Sequence, residues 1–337
     1  MRTAFVHAVG VNAQGAVIAE SSSRIGNDAR QRAFVWQGGR VRILDYGDAA
    51  FVDVVAINAK GDVIGDARGE GLLWRGSTPT ALGPIEPVAV NASDDVVGDG
   101  NVGGNVHGFL WQDGTLTDLR GLGGDETHAW LVDDAGDVAG VSALPSGVDH
   151  AVLWQSGSTT PTDLGSIGTL DSSADGMNAS GTIVGFASDH VGDARIALEW
   201  QAGQLIDLGR FGAQGAQAVA VNTRGDVLVQ TQTAAGNPKG IRLVRSGRTI
   251  VVAAPRSGYA VATGLDDRGD VLGYLQLPAH GRRSFIWRNG ATTLLPTTDG
   301  TQPPWGGPSA IANGYAVGDE YVADSGGNTS HAVLWRR

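Results

Sequence analysis

The feature that most constrains the fold is a segment of roughly 40 residues that recurs eight times along the chain. In its clearest copy, residues 127–165, the sequence is THAWLVDDAGDVAGVSALPSGVDHAVLWQSGSTTPTDLG. Four short runs of apolar or alternating residues are separated there by turn signals rich in Asp, Gly, Pro and Ser. No run keeps an apolar period of 3.6 residues over three turns, so each copy predicts four antiparallel strands joined by hairpins.

Two markers locate the strands in every copy. The first strand is predicted to end near an Asn, an Asp or, in the last copy, an isoleucine: Asn12, Asn58, Asn91, Asp133, Asn178, Asn222, Asp266 and Ile311. The third strand carries a tryptophan at positions 36, 74, 111, 154, 200, 287 and 335, with Val244 in the sixth copy. Consecutive positions of this second marker are 37 to 48 residues apart, a spacing typical of the four-stranded blades of a β-propeller.

These observations predict an all-β fold, a single β-propeller domain over residues 1–337 with eight blades. Sheets that are apolar on both faces must be covered on both, and stacked blades achieve this with few exposed edges. The predicted blades span approximately residues 1–47, 48–83, 84–123, 124–168, 169–212, 213–254, 255–300 and 301–337. No fourth strand follows Trp335, so the eighth blade is expected to be three-stranded and held by apolar packing. Alternatively, one repeat forms no blade and the count is seven.

The repeats resemble those of the HAF-repeat proteins. The resemblance is carried by HGFLWQDGTLTDLRGLGG at residues 107–124, HAVLWQSG at 150–157, HAVLW at 331–335, and the pattern A-x-x-x-N-x-x-G-x-V-V-G between such pieces. It covers essentially the whole chain and implies a bacterial, often exported, propeller-type repeat protein, with no catalytic residues to carry over. Five repeats depart from the pattern by replacing its histidine, with Arg32, Glu70, Ile196, Gly240 and Arg283.

Composition excludes several classes of protein. The formal net charge is −11, and the basic residues are scattered, with Lys60 and Lys239 the only lysines. Nucleic-acid binding needs a basic stripe, so it is not expected. The absence of cysteine excludes disulfides, thiolate metal sites and a cysteine nucleophile. No apolar run reaches the ~18 residues of a transmembrane helix, so no membrane insertion is expected.

The start of the chain bears on its location. The first residues, MRTAFVHAVGVN, have an Arg followed by an apolar run, as an export signal does. They also match residues 50–58, AFVDVVAIN, in pattern, so residues 4–11 are predicted to form a strand. With no signal peptide in this chain the expected location is the cytoplasm, whereas the HAF-repeat resemblance implies export. We expect a monomer.

Candidate site residues share one position of the repeat, five residues before the hairpin Asn or its equivalent. At this position the eight copies have His7, Asp53, Glu86, His128, Ser173, Gln217, Val261 and Gly306. Six of the eight are polar, in a strand that is otherwise apolar. Because the first strand of a propeller blade lines the central channel, we expect this position at one mouth of that channel. The structural alternative is that these polar strand ends only contact water in the channel.

Two kinds of chemistry are open to this set. His7, Asp53, Glu86 and His128 have the side chains that bind a divalent metal or transfer protons near neutral pH. His128 and His7 are the candidate catalytic residues. Without such chemistry, Asp53, Glu86 and Gln217 would bind a ligand directly.

Two further positions break the repeat. Trp130 and Asp175 stand three residues before the hairpin, where other copies have a valine such as Val9. An aspartate or tryptophan on an inner strand costs packing energy, and such exceptions are typical of functional sites. Tyr259 and Trp305 are predicted near the same mouth, as aromatic walls of a ligand site.

The leading interpretation is a non-catalytic recognition module that binds a small molecule, a glycan or a peptide segment at one mouth of the channel. The first alternative is an enzyme of the lyase, hydrolase or cyclase type with a His, Asp and Glu site. The second is a scaffold on which the loops at residues 142–149 and 188–193 dock another protein. A divalent metal is the one cofactor that the sequence suggests.

Overall fold

The computed structural model describes residues 4–25, 28–189, 192–278, 281–296, 307–324 and 327–336. All regular elements within these ranges are β-strands, β1 to β31 in chain order. None of the residues in these ranges belongs to a helix that could cross a membrane. The predicted all-β class is confirmed.

The first four copies of the repeat form four strands each. They are β1 (Ala4–Val11), β2 (Val17–Ile25), β3 (Asp28–Gln37), β4 (Arg40–Leu44), β5 (Asp53–Ile57), β6 (Val63–Ala67), β7 (Glu70–Arg75), β8 (Thr78–Gly83), β9 (Ile85–Val90), β10 (Val96–Val102), β11 (Asn105–Gln112), β12 (Thr115–Asp118), β13 (Thr127–Val132), β14 (Val138–Ala143), β15 (Asp149–Trp154) and β16 (Thr162–Asp163).

Copies five to seven also form four strands each, and the eighth forms three. They are β17 (Asp171–Met177), β18 (Ile183–Asp189), β19 (Gly192–Gln201), β20 (Gln204–Gly209), β21 (Gly215–Val221), β22 (Val227–Gln232), β23 (Pro238–Arg245), β24 (Arg248–Ala253), β25 (Tyr259–Leu265), β26 (Val271–Leu277), β27 (Gly281–Arg288), β28 (Ala291–Leu294), β29 (Pro308–Ala312), β30 (Tyr315–Asp324) and β31 (Gly327–Arg336).

Consecutive strands pair within each repeat. The second to seventh repeats form six separate four-stranded sheets. The eighth and first repeats are joined into one sheet of seven strands, in the order β29-β30-β31-β1-β2-β3-β4. Each repeat therefore builds one blade, and the fold is the predicted β-propeller with eight blades rather than seven.

The chain divides into two compact units. The first comprises Met1–Val90 with Thr263–Arg337, and the second comprises Asn91–Ala262. In the first unit Leu44, at the end of the fourth strand of blade 1, is buried against Leu72 and Trp74 of blade 2. In the second unit Ile183, Leu198 and neighbouring apolar residues form a comparable core. Each core lies where two consecutive blades face each other.

The repeated tryptophan fills the space between blades. Five of these side chains are 4 % exposed or less: Trp74, Trp111, Trp154, Trp200 and Trp287. In three blades the indole N–H also donates a hydrogen bond to a carbonyl that follows the fourth strand of the preceding blade. These bonds join Trp74 to Asp45 (3.1 Å), Trp154 to Arg120 (2.9 Å) and Trp335 to Pro296 (3.1 Å).

The side chain that ends the first strand closes the first hairpin. Asn178 Oδ1 accepts hydrogen bonds from the backbone N–H of Ser180 (3.0 Å) and Thr182 (3.1 Å). Its Nδ2 donates to the carbonyl of Asn222 in the next blade at 2.9 Å. The same donation to the next blade joins Asn12 to Asn58 and Asn91 to Asp133. One amide thus shapes a turn and ties two blades together.

The eighth blade is attached to the first by polar contacts as well as apolar ones. β31 pairs parallel with β1 through Phe5 and Ser330, and the Ser330 hydroxyl donates to the Val6 carbonyl at 2.7 Å. The N–H of Ala8 donates to Asp319 on β30 at 2.7 Å. The three-stranded eighth blade is confirmed, and apolar residues of the two blades pack together as expected, among them Val11, Val317 and Leu334. Backbone and side-chain hydrogen bonds also cross this junction.

The first strands carry a β-bulge. Pairing with the second strand skips one residue in blades 1, 2, 4, 5, 6 and 8: Val9, Val55, Trp130, Asp175, Val219 and Ser309. A bulged residue is left out of the ladder, so its side chain can change without breaking strand pairing. The two exceptional residues of the sequence, Trp130 and Asp175, occupy this tolerant position.

Replacing Asn178 by alanine is expected to lower the free energy of unfolding by roughly 1–3 kcal/mol, because buried backbone N–H groups lose their acceptor. Asn178→Asp keeps the Oδ1 acceptor of the hairpin but replaces the donor to Asn222 by an oxygen that faces the carbonyl, so its loss of stability reports on the contact between blades. Urea denaturation followed by tryptophan fluorescence measures both. Equal stability of Asn178→Ala and the wild type would contradict the role of this amide.

Candidate functional site

Four second strands bind the first strand of the next blade through a polar side chain. Its oxygen accepts a backbone N–H in the pairs Glu20 with Val54 (2.8 Å), Asp99 with Ala129 (3.0 Å), Gln230 with Ala262 (3.0 Å) and Asp319 with Ala8 (2.7 Å). In three of these pairs the donor directly follows a predicted site residue, namely Asp53, His128 or His7. The candidate site residues are therefore arranged around a contact between blades.

In the second unit, His128 and Trp130 on β13 converge on Asp99 of β10. Nδ1 of His128 lies 2.7 Å from Asp99 Oδ2, and the indole Nε1 of Trp130 lies 3.4 Å from the same oxygen. The two ring centroids are 5.3 Å apart. The carboxylate places the imidazole proton on Nδ1. Nε2 of His128 has no hydrogen-bond partner in the described part of the chain, so it is available to a ligand.

The electrostatics of this cluster favour a charged imidazole. The hydrogen bond to Asp99 raises the pKa of His128, against the opposing effect of partial burial, and the charges of Asp99, Glu126 and Asp149 raise it further. The side chain is 27 % exposed. A larger fraction of His128 than of an ordinary histidine therefore carries a donor on Nε2 at neutral pH.

A second cluster in the same unit surrounds Asp175 on β17. Gln217 Nε2 donates to Asp175 Oδ2 at 2.6 Å, and the hydroxyl of Ser173 donates to Oδ1 at 3.1 Å. Arg195 on β19 donates to Gln217 Oε1 and lies over the ring of Phe186, 4.2 Å from its centroid. The structure thus brings together the predicted residues Asp175 and Gln217, which are 42 positions apart in sequence.

Burial raises the pKa of Asp175 to about 6. The hydrogen bonds from Gln217 and Ser173 and the charge of Arg195 act in the opposite direction and limit the rise. A carboxyl group with this pKa exchanges its proton close to neutral pH. Asp175 is therefore chemically able to act as an acid or a base, as well as to orient Gln217.

In the first unit, His7 forms an ion pair with Asp319, and this hydrogen bond raises the pKa of His7. Glu20 and Asp53 are linked by Gln31, whose amide Nε2 donates to Glu20 at 3.0 Å and also to Asp53. Burial raises the pKa of Glu20, and the charge of Asp53 adds to the rise. The predicted residues His7 and Asp53 thus have protein partners.

Asp66 departs from the common arrangement. It occupies the second-strand position of blade 2, but the equivalent donor residue in blade 3 is Pro87, which has no N–H. Burial raises the pKa of Asp66, and the charges of Asp53 and Glu86 raise it further. The predicted residues Asp53 and Glu86 therefore both lie within electrostatic range of Asp66.

No three His, Asp or Glu side chains among the described residues are grouped so as to hold a metal ion. The metal hypothesis for His7, Asp53, Glu86 and His128 therefore gains no support. Both histidines are instead oriented by an aspartate of the preceding blade.

The remaining predictions have different outcomes. Tyr259 begins β25, and within the described ranges it makes no hydrogen bond or ring contact with His128 or Trp130. Trp305 and Gly306 lie outside the described residues.

Sequence reasoning missed the partners of the site residues, above all Asp99, Asp319, Gln31 and Arg195. A signal for part of this set was present, because a polar residue recurs at one position of the second strand. It is found as Glu20, Asp66, Asp99, Gln230 and Asp319. Gln31 and Arg195 belong to no such series.

No protein-family model matches the sequence. No curated protein matches it either.

Solved structures do match. The dipeptidyl peptidase 4 of Porphyromonas gingivalis superposes with a TM-score of 0.60 at 10 % identity, over 96 % of this chain and 56 % of that one. A puromycin-hydrolysing peptidase of Mycobacterium tuberculosis gives 0.54 at 12 % identity, over 99 % and 51 %. The acylaminoacyl peptidase of Pyrococcus horikoshii gives 0.52 at 11 % identity, over 98 % and 51 %. The chain spans about half the length of these proteins, and at such low identity the likeness supports the fold alone.

The raised pKa of Asp175 predicts a pH-dependent stability. The folded protein keeps this proton up to pH about 6, whereas the unfolded chain releases it near pH ~4. Stability is therefore lost as the pH rises from about 4 through 6, by up to about 3 kcal/mol. Urea denaturation at pH 4.5 and 7.5 should show this loss in the wild type, relative to Asp175→Asn, which cannot ionise.

Asp113→Asn is the control for this measurement, because Asp113 is an exposed turn residue. Its unfolding free energy should follow that of the wild type at both pH values. A constant difference between wild type and Asp175→Asn across the pH range would show that Asp175 is not protonated in the folded state.

Proposed function

We propose that this chain is a non-catalytic recognition module that binds a hydroxyl-bearing ligand, such as a glycan, at His128 and Trp130. The convergence of both side chains on Asp99 carries the proposal. It orients the imidazole and the indole while Nε2 of His128 has no partner among the described residues. An aromatic surface beside a few oriented polar groups is the usual composition of a small-molecule site.

The carboxylates of both clusters already accept hydrogen bonds from the protein, which supports recognition over catalysis. Asp99 already accepts hydrogen bonds from the Ala129 N–H and from His128. Asp175 accepts from Gln217 and Ser173. No serine or threonine hydroxyl in the described ranges is bonded to His128, and the chain contains no cysteine. An activated nucleophile would need a base within hydrogen-bond reach of a hydroxyl or thiol.

A hydrolase is the second candidate, and Asp175 is the observation that favours it. Its pKa of about 6 suits proton transfer at neutral pH. Chromogenic peptide and glycoside substrates test this function directly. Turnover that Asp175→Asn abolishes, while the melting temperature stays near that of the wild type, would establish the enzyme and overturn the recognition module.

Membership of the HAF-repeat family, with the export that it implies, stays a proposal carried by the repeat motifs of the sequence. The monomeric state is likewise proposed.

The recognition module is tested first on a glycan array and a peptide array, and then by tryptophan fluorescence titration with the glycans that bind. His128→Ala and Trp130→Ala should each raise the dissociation constant about tenfold or more, because each removes one contact worth about 1.4 kcal/mol.

His107→Ala is the matched control. His107 also pairs with an aspartate, Asp118, through Nδ1 at 3.0 Å, but on another strand pair of the unit. It should leave binding unchanged. Silent arrays at high protein concentration, or equal affinity for all variants, would contradict the proposed site.

A further inference from the structure

A polar cleft of about 340 Å³ lies in the second unit, where blade 3 connects to blade 4. His107 of β11 and Asp118 of β12 line one side of it. The rest of the lining comes from the connecting segment, residues 119–126, and from Thr127, the first residue of β13. The side chains of the ligand site proposed above do not line this cleft, so it is a separate site.

The connecting segment is held against blade 4 by backbone hydrogen bonds. The N–H of Arg120 donates to the carbonyl of Thr159 at 2.9 Å, and the carbonyl of Arg120 accepts the indole N–H of Trp154 at 2.9 Å. Further along, the N–H of Gly124 donates to the carbonyl of Ala143 at 3.0 Å. A β-carbon at Gly124 would lie 2.6 Å from that carbonyl oxygen, so the backbone packs directly on blade 4. A wall fixed in this way lowers the entropic cost of binding a ligand.

Two opposite charges of the connecting segment line the cleft without pairing. Arg120 and Asp125 are both exposed. Within the described residues, neither side chain forms a hydrogen bond or an ion pair, with the other or with any third residue. A guanidinium offers two parallel donors to a carboxylate, and a carboxylate accepts the protons of an ammonium group. A ligand that carries one group of each sign can therefore bind both residues.

A histidine–aspartate pair supplies a further polar group. Nδ1 of His107 lies 3.0 Å from one oxygen of Asp118 and 3.1 Å from the other. This contact places the imidazole proton on Nδ1 and fixes the orientation of the ring. Nε2 of His107 has no partner in the part of the chain that the structure describes, so a ligand in the cleft can bind it. Blade 4 repeats the pair, as His150 and Asp163 at 2.9 Å.

The hydroxyl group in the cleft serves the fold. Thr127 accepts the N–H of Gly108 at 2.8 Å, and its hydroxyl lies 3.5 Å from the carbonyl of Leu119. Among the described contacts it is not bonded to His107, so the imidazole does not activate it as a nucleophile. The arrangement therefore suits binding better than covalent chemistry.

The charged residues distinguish this cleft from the equivalent place in blade 4. Two residues after the aspartate of the pair, blade 3 has Arg120 where blade 4 has Gly165. Two residues before the Thr or Ser whose oxygen accepts a third-strand N–H, blade 3 has Asp125 where blade 4 has Leu170. The histidine and its aspartate thus occur in both blades, whereas the two opposite charges occur in blade 3 alone of the two.

We propose that this cleft binds a small zwitterion, an α-amino acid or a dipeptide. The carboxylate of the ligand pairs with Arg120 and its ammonium group with Asp125, while Nε2 of His107 forms a hydrogen bond with another polar group of the ligand. Ligand pockets span about 300–1,000 Å³, so a cleft of about 340 Å³ matches a molecule of this size.

The test is isothermal titration calorimetry of the full chain with the standard amino acids and with dipeptides. At least one of them should bind saturably, and the tighter class identifies the ligand. Arg120→Gln and Asp125→Asn nearly keep the size of each side chain and remove its charge, so each should raise the dissociation constant at least tenfold. His107→Ala should raise it several-fold.

Blocked ligands assign each charge to its partner. N-acetylation removes the ammonium group, so it should weaken binding to the wild type at least tenfold and binding to Asp125→Asn much less. Amidation removes the carboxylate, and it should in the same way weaken binding to the wild type far more than to Arg120→Gln. Such non-additivity is expected only for groups in direct contact.

His150→Ala is the matched control on the protein. It removes the same histidine–aspartate pair from blade 4, which has Gly165 and Leu170 in place of the two charges. Its affinity for the ligand should equal that of the wild type. Melting temperatures near that of the wild type should accompany all variants of the exposed residues Arg120 and Asp125.

The proposal would be overturned if no amino acid or dipeptide bound saturably to the folded wild type, or if Arg120→Gln bound as tightly as the wild type. Acetate that binds as tightly as the amino acid would also overturn it, because the ammonium group would then contribute nothing. Loss of binding in His128→Ala with unchanged binding in Asp125→Asn would place the zwitterion at the other ligand site, with the same consequence.

Discussion

The amide side chain at the end of the first strand is the interaction on which the blades depend. Asn178 accepts two backbone N–H groups of its own hairpin and donates to the next blade. Apolar contacts between blades are not directional, so they stabilise the stack without fixing how one blade is set against the next. A buried amide has a defined number of donors and acceptors, and its hydrogen bonds have a narrow geometry. Making all of these hydrogen bonds fixes the position of one blade relative to the next. Asn12 and Asn91 repeat the arrangement in other blades.

A second polar contact operates where the first strand begins, and the candidate site grows out of it. Asp99 and Asp319 accept a backbone N–H of the next blade with one oxygen and bind His128 or His7 with the other. The carboxylate makes a hydrogen bond between two blades, whereas the residue at the position of His7 and His128 differs from blade to blade. In these two blades the same carboxylate therefore also orients the histidine at the variable position. This arrangement explains how a regular repeat can present an irregular set of functional groups.

The structure shows which predicted site residues lie together and which partners they have. His128 and Trp130 do lie together, and so do Asp175 and Gln217. The proposed metal ligands were read as side chains free to converge, but His7 and His128 are each oriented by an aspartate. The eighth blade does pack on the first through apolar residues as expected, and Ser330 and Asp319 add hydrogen bonds to that packing. In each case the missing information was a partner on another strand.

The sequence by itself determined the strands, the hairpins and the eight-blade count, because alternation, turn chemistry and repeat length depend on residues that are close along the chain. The tertiary structure alone decided which groups meet. Asp99 reaches His128 across 29 positions, Gln217 reaches Asp175 across 42, and Asp319 reaches His7 across 312. Such pairings follow from how the blades stack, and no local pattern records them.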